Sequence, residues 1–191
     1  VEAGDRVALE FDDPVNLTIA LLGALKAGAA VTPLNPRLAE DEKSTILATL
    51  DAKVVLREHS VAEAAFAARQ VSDADAAFIL FTSGSTGVPK GVVLSHRATN
   101  TALDHWRGPI LDLSPADVVL STLPPAHSLG IFGTILAPLL AGAAVVFLPR
   151  FSAEHALAAI ARHGVTVYPG VATMFQLIVD NPALPDTDLS S

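Results

Sequence analysis

Short apolar runs and longer stretches with helical spacing alternate along this chain. The apolar runs are typical of buried strands, and they fall at 7–11, 31–34, 53–56, 76–81, 92–94, 144–148 and 165–168. Between them, helices are predicted from near Asn16 to a stop at Gly28, from near Ala39, and over 60–70. Strands that alternate with helices favour parallel sheets covered by helices. The predicted fold class is therefore α/β, with mainly parallel sheets flanked by helices.

Part of the pattern occurs twice. Residues 27–31 read Ala-Gly-Ala-Ala-Val, and residues 141–145 repeat those letters 114 positions later. A Pro-Arg pair and a second strand follow each copy. We predict two similar layered α/β subdomains, a first unit at 1–75 and a second at 76–191 that includes the strands 76–81 and 92–94. Convergence in an alanine-rich protein is the alternative explanation, and a different strand order in the two units would refute the repeat.

The segment 82–91, Thr-Ser-Gly-Ser-Thr-Gly-Val-Pro-Lys-Gly, stands between two predicted buried strands. Glycines allow backbone N–H groups to line up as an anion cradle, while hydroxyls and a lysine add donors and charge. We therefore predict a polyphosphate site, whereas a flexible surface turn is the alternative. The candidate phosphate-binding residues are Thr82, Ser83, Gly84, Ser85, Thr86, Gly87 and Lys90.

The same segment is not a Walker A motif. That motif places Lys directly after Gly and before Ser or Thr, whereas Lys90 follows Pro89 and precedes Gly91. A P-loop also opens a helix, but the residues after Gly91 favour a strand. An unrelated P-loop NTPase is therefore disfavoured.

The decapeptide resembles the phosphate-binding signature of the AMP-forming adenylating enzymes and matches each of its fixed positions. Residues 25–36 resemble the family's upstream helix-to-strand motif, and 123–130 resemble its Leu-Pro-x-x-His segment. The likeness to acyl-CoA synthetases at 33–38 and 148–151 implies that branch. The resemblance implies part of the large N-terminal domain of an adenylating enzyme, whose substrates are ATP, a carboxylic acid and CoA, with Mg2+.

The resemblance also implies roles for particular residues. Lys90 is expected to be catalytic, and His127 to lie beside the acyl pocket, although a packed core histidine is the simpler alternative. Gly170 and Val171 match the family's pocket-lining Gly-Val-Pro-Thr segment. Two positions depart from the pattern, because alanine replaces the usual aromatic residue before His127 and the usual proline after Val171.

The family's adenine, metal-ligand and C-terminal lysine motifs have no match here, so we expect the chain to be a fragment that is inactive alone and prone to self-association. The predicted parent is an acyl-CoA synthetase for a medium- or long-chain fatty acid. Alternatives are an aryl-CoA ligase, another adenylation domain, or a non-catalytic nucleotide- or acyl-binding module of the same fold.

Composition narrows the partners. The 191 residues are 51% hydrophobic and carry a formal net charge of −8, which disfavours nucleic acid. The chain has no cysteine, its histidines lack a zinc-binding spacing, and the acidic run 40–42 suits a helix start, so no metal site is predicted within it. Glycines and prolines interrupt the uncharged stretch 128–149, which disfavours a membrane span. No signal-peptide pattern is present, and we expect a cytoplasmic enzyme.

Overall fold

The chain forms two compact units, Val1–Thr101 and Ala102–Ser191. The computed structural model describes residues 1–58, 67–82 and 89–191. Ser83, Gly84, Ser85, Thr86 and Gly87 lie outside the described residues, as does most of the predicted helix 60–70.

Parallel strands and their connecting helices form the first unit. The elements are β1 (Arg6–Leu9), α1 (Pro14–Lys26), β2 (Ala30–Pro33), α2 (Glu40–Leu50), β3 (Val54–Leu56), β4 (Ala76–Thr82) and β5 (Lys90–Ser95). The sheet has the order β3-β1-β2-β4-β5, and its pairs are parallel except β4–β5, which is antiparallel. Helix α3 (His96–His105) follows and runs into the second unit.

The hairpin β4–β5 belongs to the sheet of the first unit, whereas the sequence division placed it after residue 75 with the second. Strand β4 lies parallel to β2, with Val31 opposite Phe78. The buried Thr32 hydroxyl strengthens this join, because it donates to the Ile79 carbonyl oxygen at 2.8 Å. The hairpin therefore belongs to the first unit because β4 pairs with β2, which is distant from it in sequence.

The second unit builds a smaller parallel sheet. Its elements are a π-helix (Trp106–Ile110), β6 (Val118–Ser121), a second π-helix (Leu129–Leu136), α4 (Ala137–Ala141), β7 (Ala144–Phe147), α5 (Ala153–His163), α6 (Ala172–Val179) and a 3-10 turn (Leu184–Asp186). Strand β6 pairs with β7 on one side. On its other side lies the predicted strand 165–168, which is reduced to one parallel bridge between Val119 and Val167.

The predicted repeat agrees with the strand order of both units. In the first unit β1 lies between β3 and β2, and in the second β6 lies between Val167 and β7. The glycine that ends each equivalent helix, Gly28 or Gly142, has a positive φ of 79° or 77°. Glycine adopts this left-handed conformation without a steric penalty, which explains why both copies keep it.

Turns of the same type precede three strands of the protein, and the sequence did not predict them. In each case an aspartate carboxylate accepts a hydrogen bond from the backbone N–H three residues earlier, at 2.7–2.8 Å. The same aspartate's backbone N–H donates to that residue's carbonyl oxygen. The turns are Glu2–Asp5 before β1, Ser72–Asp75 before β4, and Ser114–Asp117 before β6.

Each unit has a buried cluster that joins side chains of its sheet and its helices. In the first, Ala8, Leu34, Ile46 and Leu50 form a buried cluster that includes side chains of α2. In the second, Leu120 of β6 packs with residues of α5 and α6. Because these strands are parallel, their carboxyl ends lie at one edge of each sheet.

Candidate functional site

The predicted phosphate-binding segment leaves the sheet of the first unit at its carboxyl edge. Thr82 ends β4, Lys90 begins β5, and the two residues lie opposite each other in the antiparallel register. Both are exposed. The carboxyl edge of a parallel sheet is where ligands bind in open α/β folds. The hairpin therefore presents a hydroxyl and an ammonium group on the side of the sheet that suits a ligand.

Gly91 explains why the motif ends in glycine. It lies opposite Phe81, and a Cβ built on Gly91 would come within 3.2 Å of the Phe81 ring and 3.0 Å of the Ile79 Cγ2 atom. Both neighbours pack against the core of the first unit. The missing side chain therefore lets an aromatic ring lie across the strand beside Lys90.

A charged cluster lies at the same edge, beyond β1 and β3. The Glu10 carboxylate accepts from Lys43 Nζ at 2.8 Å and from Arg57 Nε at 2.8 Å, and Lys43 also pairs with Glu40 at 2.9 Å. The hydrogen bond from Lys43 lowers the pKa of Glu10, and the bond to Glu10 raises the pKa of Lys43. The members of this cluster are far apart along the chain, so no sequence pattern indicated it.

In the second unit, the loop that carries His127 follows β6 at the carboxyl edge of its sheet. Within this unit, His127 is exposed and is not packed in the core. Its backbone N–H donates to the Pro124 carbonyl oxygen at 3.1 Å, and its own carbonyl accepts from Ile131 at 3.0 Å. The loop is thus tied to the π-helix Leu129–Leu136, and the imidazole is accessible.

Gly170 and Val171 follow the third strand position of the same sheet. A Cβ on Gly170 would come within 3.2 Å of the Phe175 ring, which packs edge-on against Tyr168 with ring centroids 5.5 Å apart. Val171 caps α6 and is 42% exposed, and Phe175 is 43% exposed. These residues give the carboxyl edge of the second unit an apolar surface.

A half-buried tyrosine supports that surface from behind. The Tyr168 hydroxyl lies 3.3 Å from Thr122 Oγ1 and 3.7 Å from Met174 Sδ. Burial raises the pKa of Tyr168 above the usual value for a tyrosine hydroxyl. Tyr168 also packs against the core cluster of this unit, which fixes the start of α6.

Within 1–58, 67–82 and 89–191, no group of three or more His, Cys, Asp or Glu side chains is arranged to hold a metal ion. Over the same described residues, no helix is long and apolar enough to cross a bilayer. The structure thus brings Thr82 and Lys90 together in the first unit, and places His127, Gly170 and Val171 in the second.

Comparison with known proteins identifies the family. The model of the AMP-binding enzyme family matches residues 1–73 and 59–191. The chain therefore belongs to the AMP-binding enzymes, which confirms the resemblance inferred from the decapeptide.

Curated relatives of the chain are CoA ligases. It is 34% identical to the 3-[(3aS,4S,7aS)-7a-methyl-1,5-dioxo-octahydro-1H-inden-4-yl]propanoyl:CoA ligase of Mycobacterium tuberculosis, covering 100% of this chain and 46% of the relative. It is 32% identical to 4-coumarate--CoA ligase 5 of Oryza sativa, covering 98% of this chain and 41% of the relative. The chain thus spans less than half the length of these two relatives.

Solved structures confirm the predicted fold class. The N-terminal domain of FACL13 from Mycobacterium tuberculosis superposes with a TM-score of 0.88 at 27% identity. The match covers 100% of this chain and 55% of that domain. The mainly parallel sheets flanked by helices are therefore those of the N-terminal domain of an adenylating enzyme.

Proposed function

We propose that this chain is part of an ATP-dependent acyl-CoA synthetase and that it supplies the phosphate-binding hairpin and one wall of the acid site. The observation that carries the proposal is the pairing of Thr82 with Lys90 at the carboxyl edge of a parallel sheet. Family membership and relatives named as CoA ligases support it. The proposed activity belongs to the full-length protein and also requires residues outside this chain.

In the proposed reaction, a carboxylate oxygen of the acid attacks the α-phosphorus of ATP. The bond from that phosphorus to the bridging oxygen breaks, and pyrophosphate leaves with its electron pair. The sulfur of CoA then attacks the carbonyl carbon of the acyl-adenylate, loses its proton, and releases AMP. Both steps are group transfers, and neither needs an oxidant or a reductant.

The role of Lys90 follows from the charge of the leaving group. Negative charge grows on pyrophosphate as the bond breaks, and fixed donors aimed at that charge lower the barrier. We assign this role to the Lys90 ammonium and the Thr82 hydroxyl, with Ser83, Gly84, Ser85, Thr86 and Gly87 completing the cradle as a proposal from sequence. ATP is expected as its magnesium complex, with the ligand for Mg2+ supplied from outside this chain.

The acid is proposed to bind at the carboxyl edge of the second unit. His127 would lie beside the carboxylate that is activated, and Gly170 and Val171 would line the acyl pocket. The exposed Val171 and Phe175 side chains provide an apolar wall that suits a hydrocarbon tail. We propose a medium- or long-chain fatty acid, on the likeness of 148–151 to fatty acyl-CoA ligases.

A ring-bearing acid is the second candidate. Both relatives reported above have names that specify ring-bearing acyl groups, and an aromatic pair, Tyr168 and Phe175, lies next to Gly170. Edge-on packing extends readily to a third ring. The two candidate acids therefore differ in the part of the molecule beyond the carboxylate, which is a straight hydrocarbon chain in one and a ring in the other.

We also propose that the protein is cytoplasmic.

The test is acid-dependent ATP–pyrophosphate exchange by the full-length protein that contains this chain. A panel of straight-chain, aryl and alicyclic acids of matched carbon number would be compared. Exchange stimulated by one class supports adenylation and identifies the acid. Absence of exchange with every acid, from a folded protein that binds ATP, would instead indicate a non-catalytic binding module.

We further propose that the chain by itself is inactive and self-associates. Several large apolar side chains are exposed in the part of the chain that the structure describes, including Ile19, Val93 and Val179 at 51–63%. Exposed apolar surface of this kind favours association. Sedimentation of the isolated chain over a concentration range measures the association, and carboxylate-dependent turnover by the chain alone would contradict its inactivity.

A further inference from the structure

A buried pair of hydroxyl groups lies beneath the loop that carries His127. Ser121, the last residue of β6, is 4% exposed, and Thr134, in the π-helix Leu129–Leu136, is 0% exposed. Their hydroxyl oxygens are 2.8 Å apart, and Thr134 Oγ1 lies 2.6 Å from the Gly130 carbonyl oxygen. The pair therefore joins the end of the strand to the first turn of the helix.

The hydrogen atoms of this group can be assigned. A carbonyl oxygen only accepts, so the single Thr134 hydroxyl hydrogen is donated to Gly130. The Thr134 oxygen must then accept from the Ser121 hydroxyl. Each hydroxyl is thus committed in one direction, from Ser121 through Thr134 to Gly130, and loss of Thr134 would leave Ser121 buried without its acceptor.

Gly130 connects the pair to the loop. A Cβ built on Gly130 would overlap the Pro124 carbonyl oxygen and lie 2.8 Å from its carbonyl carbon. The same Pro124 oxygen accepts the His127 backbone N–H at 3.1 Å. The Pro124 carbonyl group therefore contacts the backbone of Gly130 on one side and accepts the hydrogen bond from His127 on the other. A shift of the π-helix would consequently move the loop that carries His127.

We propose that Ser121, Thr134 and Gly130 are positioning residues for His127. They fix the π-helix against β6, and through Pro124 they set where the imidazole stands relative to the bound carboxylate. The hydroxyls themselves do not touch the acid, because they are buried. A π-helix is an uncommon conformation that occurs frequently at functional sites. The inference rests on the proposed function, in which His127 lies beside the acid.

The test separates positioning from stability by three variants of the full-length protein. Thr134→Val keeps the shape but leaves the Ser121 hydroxyl unpaired, so it lowers the melting temperature. Ser121→Ala with Thr134→Val removes both partners, which is close to neutral for stability. Thr134→Ser keeps the hydroxyl chain. Melting temperature and the KM values for acid and for ATP would be measured by thermal unfolding and ATP–pyrophosphate exchange.

We expect the double variant to change the KM for the acid but not the melting temperature. The double variant melts near the wild type, yet its KM for the acid is raised about fivefold, the effect of one hydrogen bond, while its KM for ATP is unchanged. Thr134→Ser retains the wild-type KM for the acid. A double variant with a wild-type KM for the acid would overturn the inference. Absence of exchange in the wild type would overturn the proposed function, and this inference with it.

Discussion

Replacement of Thr32 by valine should loosen the join between the phosphate-binding hairpin and the rest of its sheet. Thr32 is 1% exposed, and its hydroxyl donates to the Ile79 carbonyl oxygen at 2.8 Å. Ile79 lies in β4, the strand that ends at Thr82. Valine has nearly the same shape, so the change removes a donor without creating a cavity.

The expected cost of Thr32→Val can be estimated from this single contact. Leaving the partly buried Ile79 carbonyl oxygen without this donor costs about 1–3 kcal/mol. For a chain of this size, each kcal/mol lowers the melting temperature by roughly 2–4 °C. The same change at the exposed Thr49, whose hydroxyl donates to the Thr45 carbonyl at 2.8 Å, provides a matched control. Its effect should stay within about 0.5 kcal/mol.

Urea titration followed by far-UV circular dichroism measures both variants. Thr32→Val should lower the free energy of unfolding by at least about 1 kcal/mol more than Thr49→Val. Equal effects of the two substitutions would refute the argument that the Thr32 hydroxyl holds β4 against β2. The hairpin would then depend on apolar packing alone.

Three further substitutions test other contacts by urea titration. Gly91→Ala should cost about 1–3 kcal/mol, because its methyl group would press against Ile79; an unchanged midpoint would contradict this. The pKa of Glu10 is lowered in the folded state, so its stabilising effect is present above the unfolded pKa and disappears as pH falls through the folded value. Wild type should therefore lose its advantage over Glu10→Gln on acidification below about pH 4.5, whereas an advantage independent of pH would exclude the pairing with Lys43. Asp117→Asn should lower the midpoint at neutral pH and lose that effect in acid, since hydrogen bonds hold its pKa down; a deficit that persists in acid would count against this explanation.

The repeat of the two units was predictable because its signals are local. Each copy has a helix that ends at a glycine with positive φ, and a parallel strand then follows, which is buried in the first unit and partly exposed in the second. Gly28 and Gly142 therefore mark equivalent positions in the two units. Another local signal, the acidic run 40–42, predicted the start of α2 near Ala39.

Long-range contacts limit what the sequence could indicate. The placement of β4 beside β2 depends on the join between Thr32 and Ile79, 47 residues apart. Lys43 of α2 is only 8% exposed, and its charge is paired with Glu10, which follows β1 and is far from Lys43 along the chain. The π-helix after His127 was also missed, since an apolar segment is equally compatible with an α-helix.

Within the candidate site, the structure places Thr82 and Lys90 at the carboxyl edge of the sheet and His127 on an exposed loop. Their chemical roles remain predictions. The structure explains why glycine occurs at two positions of these motifs. Gly91 leaves room for the Phe81 ring, and Gly170 leaves room for the Phe175 ring. Such close approaches involve side chains whose orientation depends on the folded sheet.

The most direct test of the central claim is ATP–pyrophosphate exchange by Lys90→Ala in the full-length protein. Lys53→Ala is the matched control, since Lys53 is also exposed but precedes β3, at the opposite edge of the same sheet. If the hairpin lysine stabilises the departing pyrophosphate, Lys90→Ala should lower the exchange rate about 100-fold or more, while Lys53→Ala retains it. Equal rates for the two variants and the wild type would contradict the assignment of the phosphate site to this hairpin.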